Sequence, residues 1–291
     1  LSPSLRTLAS FQSAMARLGG GTFVISPGMS IHNIESRSGI VMDGVAAEHI
    51  REAVPVIASY GHAIGIRAFA EREKLDHDLS DKKFMDLIAL VDNPCINMES
   101  AISHPCQSLA DWKTLDDLQV AATRGKFVLS WTWHPQQMPL AVPASTLNMA
   151  AMRGMDVTVL RPDGYELPDI VMEKARQSAE NSGGSVSETS DRSFAMEGAN
   201  VIYVNSWSST QNYGNSYAED ELKSDLRDWC VDEPWFCTAA PDCRFMHPLP
   251  ARRDVTVAER ILDGPRSVVI EEARNRMLVQ MAVLHEMVSV R

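Results

Sequence analysis

Ser4-Leu5-Arg6-Thr7 opens a stretch in which Leu8, Phe11, Met15 and Leu18 recur at helical spacing, so the tetrapeptide stands at a helix N-terminus. Free backbone N–H groups and the helix dipole attract an anion there, and Ser, Arg and Thr side chains add donors suited to phosphate. Alone, it also fits an ordinary Ser N-cap with a solvated Arg. Arg67 directly follows a short apolar run at residues 63–66. A guanidinium projecting from a strand's carboxyl edge suits an oxyanion, and equally suits plain solvent. In His104-Pro105-Cys106-Gln107 the proline takes a first helical position, so His and Gln face the helix mouth, one to donate to a carbonyl oxygen and one to bind an amide. A His before Pro serves just as well as a cap. His247-Pro248-Leu249-Pro250-Ala251-Arg252-Arg253 holds Leu249 extended between two prolines, which exposes its carbonyl to a ligand donor. The paired arginines fit a carboxylate held by two parallel contacts, or a basic turn on an acidic surface. Glu272-Ala273-Arg274-Asn275-Arg276 begins the last helix, where cations are slightly unfavourable unless an anion is near.

These groups need a frame. Residues 22–26 are rich in β-formers, and residues 45–60 read as a helix bent at Pro55, followed by strands at 63–66 and 94–98 and a helix from Pro105 to about Leu118. A second series begins near Lys126, with strands at 127–131, 156–160, 200–204 and 244–246. Helices are expected at 143–153 (Gly154 as its C-cap), 168–181 and 272–288. Strands alternating with helices of ten or more residues imply parallel sheets in two α/β domains, parted near residues 119–125. Ligands of such sheets bind beyond the carboxyl ends of the strands, which is where the motifs above fall.

The length of 291 residues suits two domains at roughly 100–200 residues each. A net charge of −11 argues against nucleic acid as partner, since that binding neutralises phosphates with Lys and Arg. No apolar stretch approaches the ~18–20 residues that span a membrane. Cys95, Cys106, Cys230, Cys237 and Cys243 form an odd set without a C-x-x-C pair, which speaks against a zinc site or a disulfide framework and for reduced thiols in the cytoplasm. A nucleotide-dependent dehydrogenase would need a G-x-G-x-x-G turn, and the sequence has none.

Taken in order, the five motifs resemble the aspartate/ornithine carbamoyltransferase family: Ser4 to Leu8 for its phosphate loop, Arg67 within Gly65-Ile66-Arg67-Ala68-Phe69, His104 to Gln107, His247 to Pro250, and Glu272 to Arg276. Gly39-Ile40-Val41-Met42-Asp43-Gly44, Asn97-Met98-Glu99 and Phe245-Met246-His247 look more like the N-acylornithine branch. Pro162-Asp163-Gly164-Tyr165-Glu166-Leu167 looks like its succinylornithine enzymes. Acetylornithine enzymes carry Glu at the position of Ala47 and tend to carry Lys at that of Thr256; both differences favour a succinyl over an acetyl group. Three positions depart from the pattern: Leu8 replaces a second Arg, Asn205 a Lys, and His32 a Trp.

The resemblance implies two doubly wound domains with the active site in the cleft between them and the last helix returning to the first domain. Residues 1–120 plus 270–291 would bind carbamoyl phosphate and residues 121–269 the amino acid. Roughly the family's first strand and helix, on the order of 40–50 residues, would be missing before Leu1. Arg6, Arg67, His104 and Gln107 would be catalytic. Ser4, Leu5, Arg6, Thr7, Arg67, His104, Gln107, Leu249 and Arg276 would contact carbamoyl phosphate, and Glu99, Arg252, Asn205, His32 and Ala47 the acylated ornithine. No metal or organic cofactor is implied. The assembly would be a homotrimer, with a loop near residues 30–37 reaching across a subunit boundary. The competing expectations are an N-acetylornithine enzyme and a catalytically silent binding subunit.

Overall fold

The computed structural model describes residues 4–26 and 33–289. Helix α1 (Leu5–Arg17) starts where the Ser4 hydroxyl accepts the Thr7 N–H, and it buries one stripe of Thr7, Phe11 and Ala14. Two-residue strands β1 (Ile34–Glu35) and β2 (Glu48–His49) pair in parallel ahead of α2 (Ile50–Ser59). Strand β3 (Ile64–Arg67), helices α3 (Leu75–Leu79) and α4 (Lys82–Ile88), strand β4 (Cys95–Glu99) and helix α5 (Pro105–Asp117) complete the first half. β3 and β4 are parallel and pack over Ile66, Ala68, Phe84 and Leu87.

The second half alternates β5 (Lys126–Trp131), α6 (Ala141–Met152), β6 (Asp156–Leu160), α7 (Asp169–Ser182), β7 (Ser185–Thr189), α8 (Arg192–Met196), β8 (Val201–Asn205), α9 (Ser216–Leu222), β9 (Arg244–Met246) and α10 (Glu259–Leu262). Its five strands are all parallel, in the order β7-β6-β5-β8-β9. Central β5 and β8 are apolar along nearly their whole length because helices cover both faces. The winding reverses between β5 and β8, so the loops after these strands diverge and leave a crevice at their carboxyl ends. Gly154 ends α6 with a positive φ of 84°, and a Cβ there would lie 2.9 Å from the Ser182 carbonyl oxygen; only glycine fits. Helix α11 (Val269–Ser289) then leaves the second half and packs on α5 and α1.

The α/β class, the parallel sheets and the return of the last helix match expectation. Three local expectations need correction, and one strand was not anticipated. Residues 22–26 form no strand, since apolar Phe23 and Val24 are exposed with no neighbouring strand to complete a ladder. The helix expected from residue 45 begins at Ile50, because Glu48 and His49 are drawn into pairing with β1 and the His49 imidazole caps Arg51 N–H. α11 starts at Val269, three residues early, with apolar Val268 and Val269 buried. β7, with polar Ser185, Ser187, Glu188 and Thr189, went unseen because an edge strand needs no apolar run. His32 lies outside the described residues.

Candidate active site

The motifs meet where α1, α5 and α11 converge on the carboxyl ends of β3 and β4. A register shift between Ile66 and Arg67 places Arg67 opposite Glu99, where regular pairing would have placed it opposite Met98. A bulge of this kind re-aims one side chain without breaking the sheet. Here it brings the guanidinium onto Glu99 Oε2, with Nη2 at 2.5 Å and Nε at 3.1 Å, and Arg67 also lies over the Phe69 ring at 4.4 Å.

His104 caps α5 from outside its first turn, and its own N–H is held by Ser145 Oγ at 2.7 Å. Its Nε2 stands 3.6 Å from Glu99 Oε2. Burial, then Arg276 and Arg67, push its pKa well below that of a free imidazole, so His104 is neutral at physiological pH. Glu99 shows the opposite balance. Burial raises its pKa, and Arg67 pulls against that.

From the chain's other end, Arg276 reaches Thr7 Oγ1 at 2.8 Å, while Arg6 donates to the Leu249 carbonyl. The Leu249–Pro250 peptide is cis. Burial lowers the proton affinity of Arg6 and of Arg276, and neighbouring cations lower it further: Arg67 acts on Arg6, and Arg6 and Arg67 act on Arg276. Among the described residues, no protein group accepts from the buried Nε of Arg6 or of Arg276, and none bonds His104 Nδ1. Three guanidiniums, two of them acting on the Glu99 carboxylate, make a net positive, partly desolvated surface. Such a surface is costly unless it meets an anion.

Gln107 is buried, and its Nε2 donates to Asp111 Oδ1 and Glu272 Oε1, both at 2.8 Å. Asn275 ties α11 to α5 through Thr114 Oγ1 and Asp117 Oδ2. Ser4 is the N-cap of α1, and the Leu5 side chain points to solvent at 83% exposure, which leaves only its backbone for ligand binding.

The structure therefore joins Ser4, Arg6, Thr7, Glu99, Arg67, His104, Gln107, Leu249 and Arg276. It does not bond Arg252 to them: that side chain donates to His134 Nε2 at 3.0 Å. Asn205 ends β8 in a buried position at the crevice, and Ala47 is exposed in the segment before β2. Leu8 is only half-buried. Sequence reasoning missed Asp111, Tyr203 and Ser145. The signal for Asp111 was its position one helical turn from Gln107. Among the described residues, no helix is long and apolar enough to cross a membrane, and all five cysteines are free.

His247 is wholly buried beside this cluster, its Nδ1 bonded to the Pro248 carbonyl at 2.9 Å, and burial drops its pKa to about 4. An imidazole neutral in the fold but near 6.5 when unfolded binds its proton first in the unfolded chain. Its contribution is thus complete above about pH 6.5 and is lost as pH falls toward 4. We expect the stability gap between wild type and His247→Gln, measured by urea unfolding, to shrink by about 3 kcal/mol over that window. A constant gap would refute this.

The model of the aspartate/ornithine carbamoyltransferase carbamoyl-P binding domain matches residues 1–117, and that of the Asp/Orn binding domain matches residues 141–287. The chain belongs to the aspartate/ornithine carbamoyltransferase family. Similarity extends along nearly all of this carbamoyltransferase. An N-acetylornithine carbamoyltransferase of Xanthomonas campestris is 37% identical over 289 residues, covering 98% of this chain and 85% of that protein. An N-succinylornithine carbamoyltransferase of Bacteroides thetaiotaomicron is 33% identical over 288 residues, covering 98% and 84%. Among solved structures, an acetylornithine transcarbamylase complexed with acetylcitrulline superposes with a TM-score of 0.92 at 36% identity, covering 98% of this chain and 86% of the other. A variant N-acetyl-L-ornithine transcarbamylase complexed with carbamyl phosphate and N-succinyl-L-norvaline gives 0.93 at the same identity and coverage. The five motifs thus identified the family correctly.

Proposed function

We propose that this carbamoyltransferase moves the carbamoyl group of carbamoyl phosphate to the δ-amine of N-succinyl-L-ornithine, giving N-succinyl-L-citrulline and phosphate for arginine biosynthesis. The observation that carries the reaction is the convergence of Arg6, Arg67 and Arg276 with neutral His104 around the N-terminus of α1. Phosphate oxygens would take the Ser4, Leu5 and Thr7 donors of the helix start together with Arg6 and Arg67. Thr7, Arg67 and His104 would donate to the carbonyl oxygen as charge develops on it, and Gln107, Arg276 and the Leu249 carbonyl would contact the carbamoyl end. The neutral δ-amine attacks the carbonyl carbon, the C–O bond to phosphate breaks, and the amine's proton is released. Holding both reactants in the cleft accounts for the acceleration, and no step calls on a metal or organic cofactor.

Residues 1–120 with 270–291 would form the carbamoyl-phosphate unit, and residues 121–269 the acceptor unit. Glu99, Asn205, Arg252, Ala47 and His32 would meet the acylated ornithine. We place the enzyme in the cytoplasm as a homotrimer.

The succinyl choice rests on Ala47, since a carboxylate there would repel the free carboxylate of a succinyl group. N-acetylornithine is the second reading, favoured by the higher identity, 37% against 33%, to an N-acetylornithine carbamoyltransferase. Offering carbamoyl phosphate with ornithine, N-acetylornithine, N-succinylornithine or aspartate separates the cases. N-succinylornithine should give the most ureido product, and Ala47→Glu should cut that preference about tenfold or more, the cost of one like-charge contact near a protein surface. Equal or better use of N-acetylornithine by the wild type would defeat the argument from Ala47. Turnover of none of the four would defeat the enzyme reading.

A further inference from the structure

Gln107 sits on a pair of buried carboxyl groups that the reaction itself does not use. Its Nε2 spends both hydrogens, one on Asp111 Oδ1 and one on Glu272 Oε1, at 2.8 Å each. The two remaining oxygens are also engaged. Asp111 Oδ2 accepts from the Tyr203 hydroxyl at 3.0 Å, and Glu272 Oε2 accepts the His247 backbone N–H at 3.2 Å.

The carboxyls are wholly buried and within hydrogen-bond reach of each other, and both hold protons far more tightly than free acids, Asp111 up to about 7. Burial is the main cause; for Glu272 the Asp111 charge adds to it. Two such groups in contact share one proton. The remaining negative charge faces Arg276, one helical turn beyond Glu272. A singly protonated pair has more acceptors than donors, so it selects the NH₂ end of the Gln107 amide. Gln107 Oε1 then faces away, and no described residue donates to it. Glu272 also holds the backbone two residues before Leu249.

We infer that Asp111 and Glu272 are positioning residues for carbamoyl transfer: they orient Gln107 and the loop at Leu249 so that two oxygens, Gln107 Oε1 and the Leu249 carbonyl, accept from the carbamoyl NH₂. This rests on the proposed activity. It also predicts how the site distinguishes carbamoyl phosphate from acyl phosphates of the same shape. Acetyl phosphate keeps the phosphate and the carbonyl but presents a methyl where the NH₂ would donate.

The test is calorimetric titration of the full-length enzyme with carbamoyl phosphate and with acetyl phosphate. Wild type should prefer carbamoyl phosphate. In Asp111→Asn and Glu272→Gln the proton-sharing pair is gone and the Gln107 amide can flip. The preference should fall about tenfold, the worth of one hydrogen bond, while acetyl phosphate affinity stays within about threefold. A folded variant that keeps the wild-type preference overturns the inference, as does an equal loss of both ligands. Failure of both variants to fold also overturns it, since the pair would then serve folding. If wild type binds no carbamoyl phosphate, the proposed activity itself falls, a result that the wild-type arm alone reveals.

Discussion

Arg67→Ala is expected to lower turnover with carbamoyl phosphate by two to three orders of magnitude, about what removal of one preorganised oxyanion donor costs. The fold should survive. Burial already holds the Glu99 carboxyl above its ordinary range, and Arg67, with a smaller pull from Arg276, opposes it. Once Arg67 is gone, Glu99 can take up a proton and avoid standing as a buried charge, so the stability loss stays small. Steady-state release of ureido product, read beside a thermal melt, checks both halves of the claim. Activity within tenfold of wild type would show that Arg67 is a structural partner of Glu99 and no more. The same geometry implies competition. Glu99 Oε2 holds the Arg67 guanidinium, so under the proposed activity carbamoyl phosphate would compete with that carboxylate for it.

Arg276→Ala should fail differently, with activity and stability falling together. Arg276 is buried, holds Thr7 Oγ1, and is the cation nearest the charge shared by Asp111 and Glu272. Removing one side of a buried charge balance costs about 3 kcal/mol or more, which in a chain of this size lowers the melting temperature by about 5–10 °C. Arg276→Lys restores the charge without the planar fork, so it should recover more of the melting temperature than of the turnover. Equal recovery of both would mean that Arg276 acts as a charge alone. An unchanged melt in Arg276→Ala would remove it from the balance altogether.

Much of this site was legible because its motifs carry their own local geometry. Pro105 marks a first helical turn, an apolar run ending in Arg67 marks a strand edge, and two prolines hold Leu249 open. Strands 127–131, 156–160, 200–204 and 244–246 were readable because buried parallel strands are continuously apolar. The bulge that turns Arg67 onto Glu99 was not readable, because it is a register between segments about thirty residues apart, and neither segment shows it alone. The Asp111–Glu272 pair was hidden for a related reason. Each acid looks like an ordinary solvated helix carboxylate until α11 folds back across α5. The strand expected at residues 22–26 failed because propensity does not provide a partner to pair with.

That return of α11 has a consequence for how the protein is made. The bond from Arg276 to Thr7 spans 269 residues of sequence. While the chain is being synthesised, the second half can fold as a unit of its own. The anion site cannot, because one of its three guanidiniums lies on α11, which follows the whole of the second half. Contacts so distant in sequence are also among the slowest to form. A released chain that stops before residue 276 should therefore keep its five-stranded sheet and yet bind no carbamoyl phosphate.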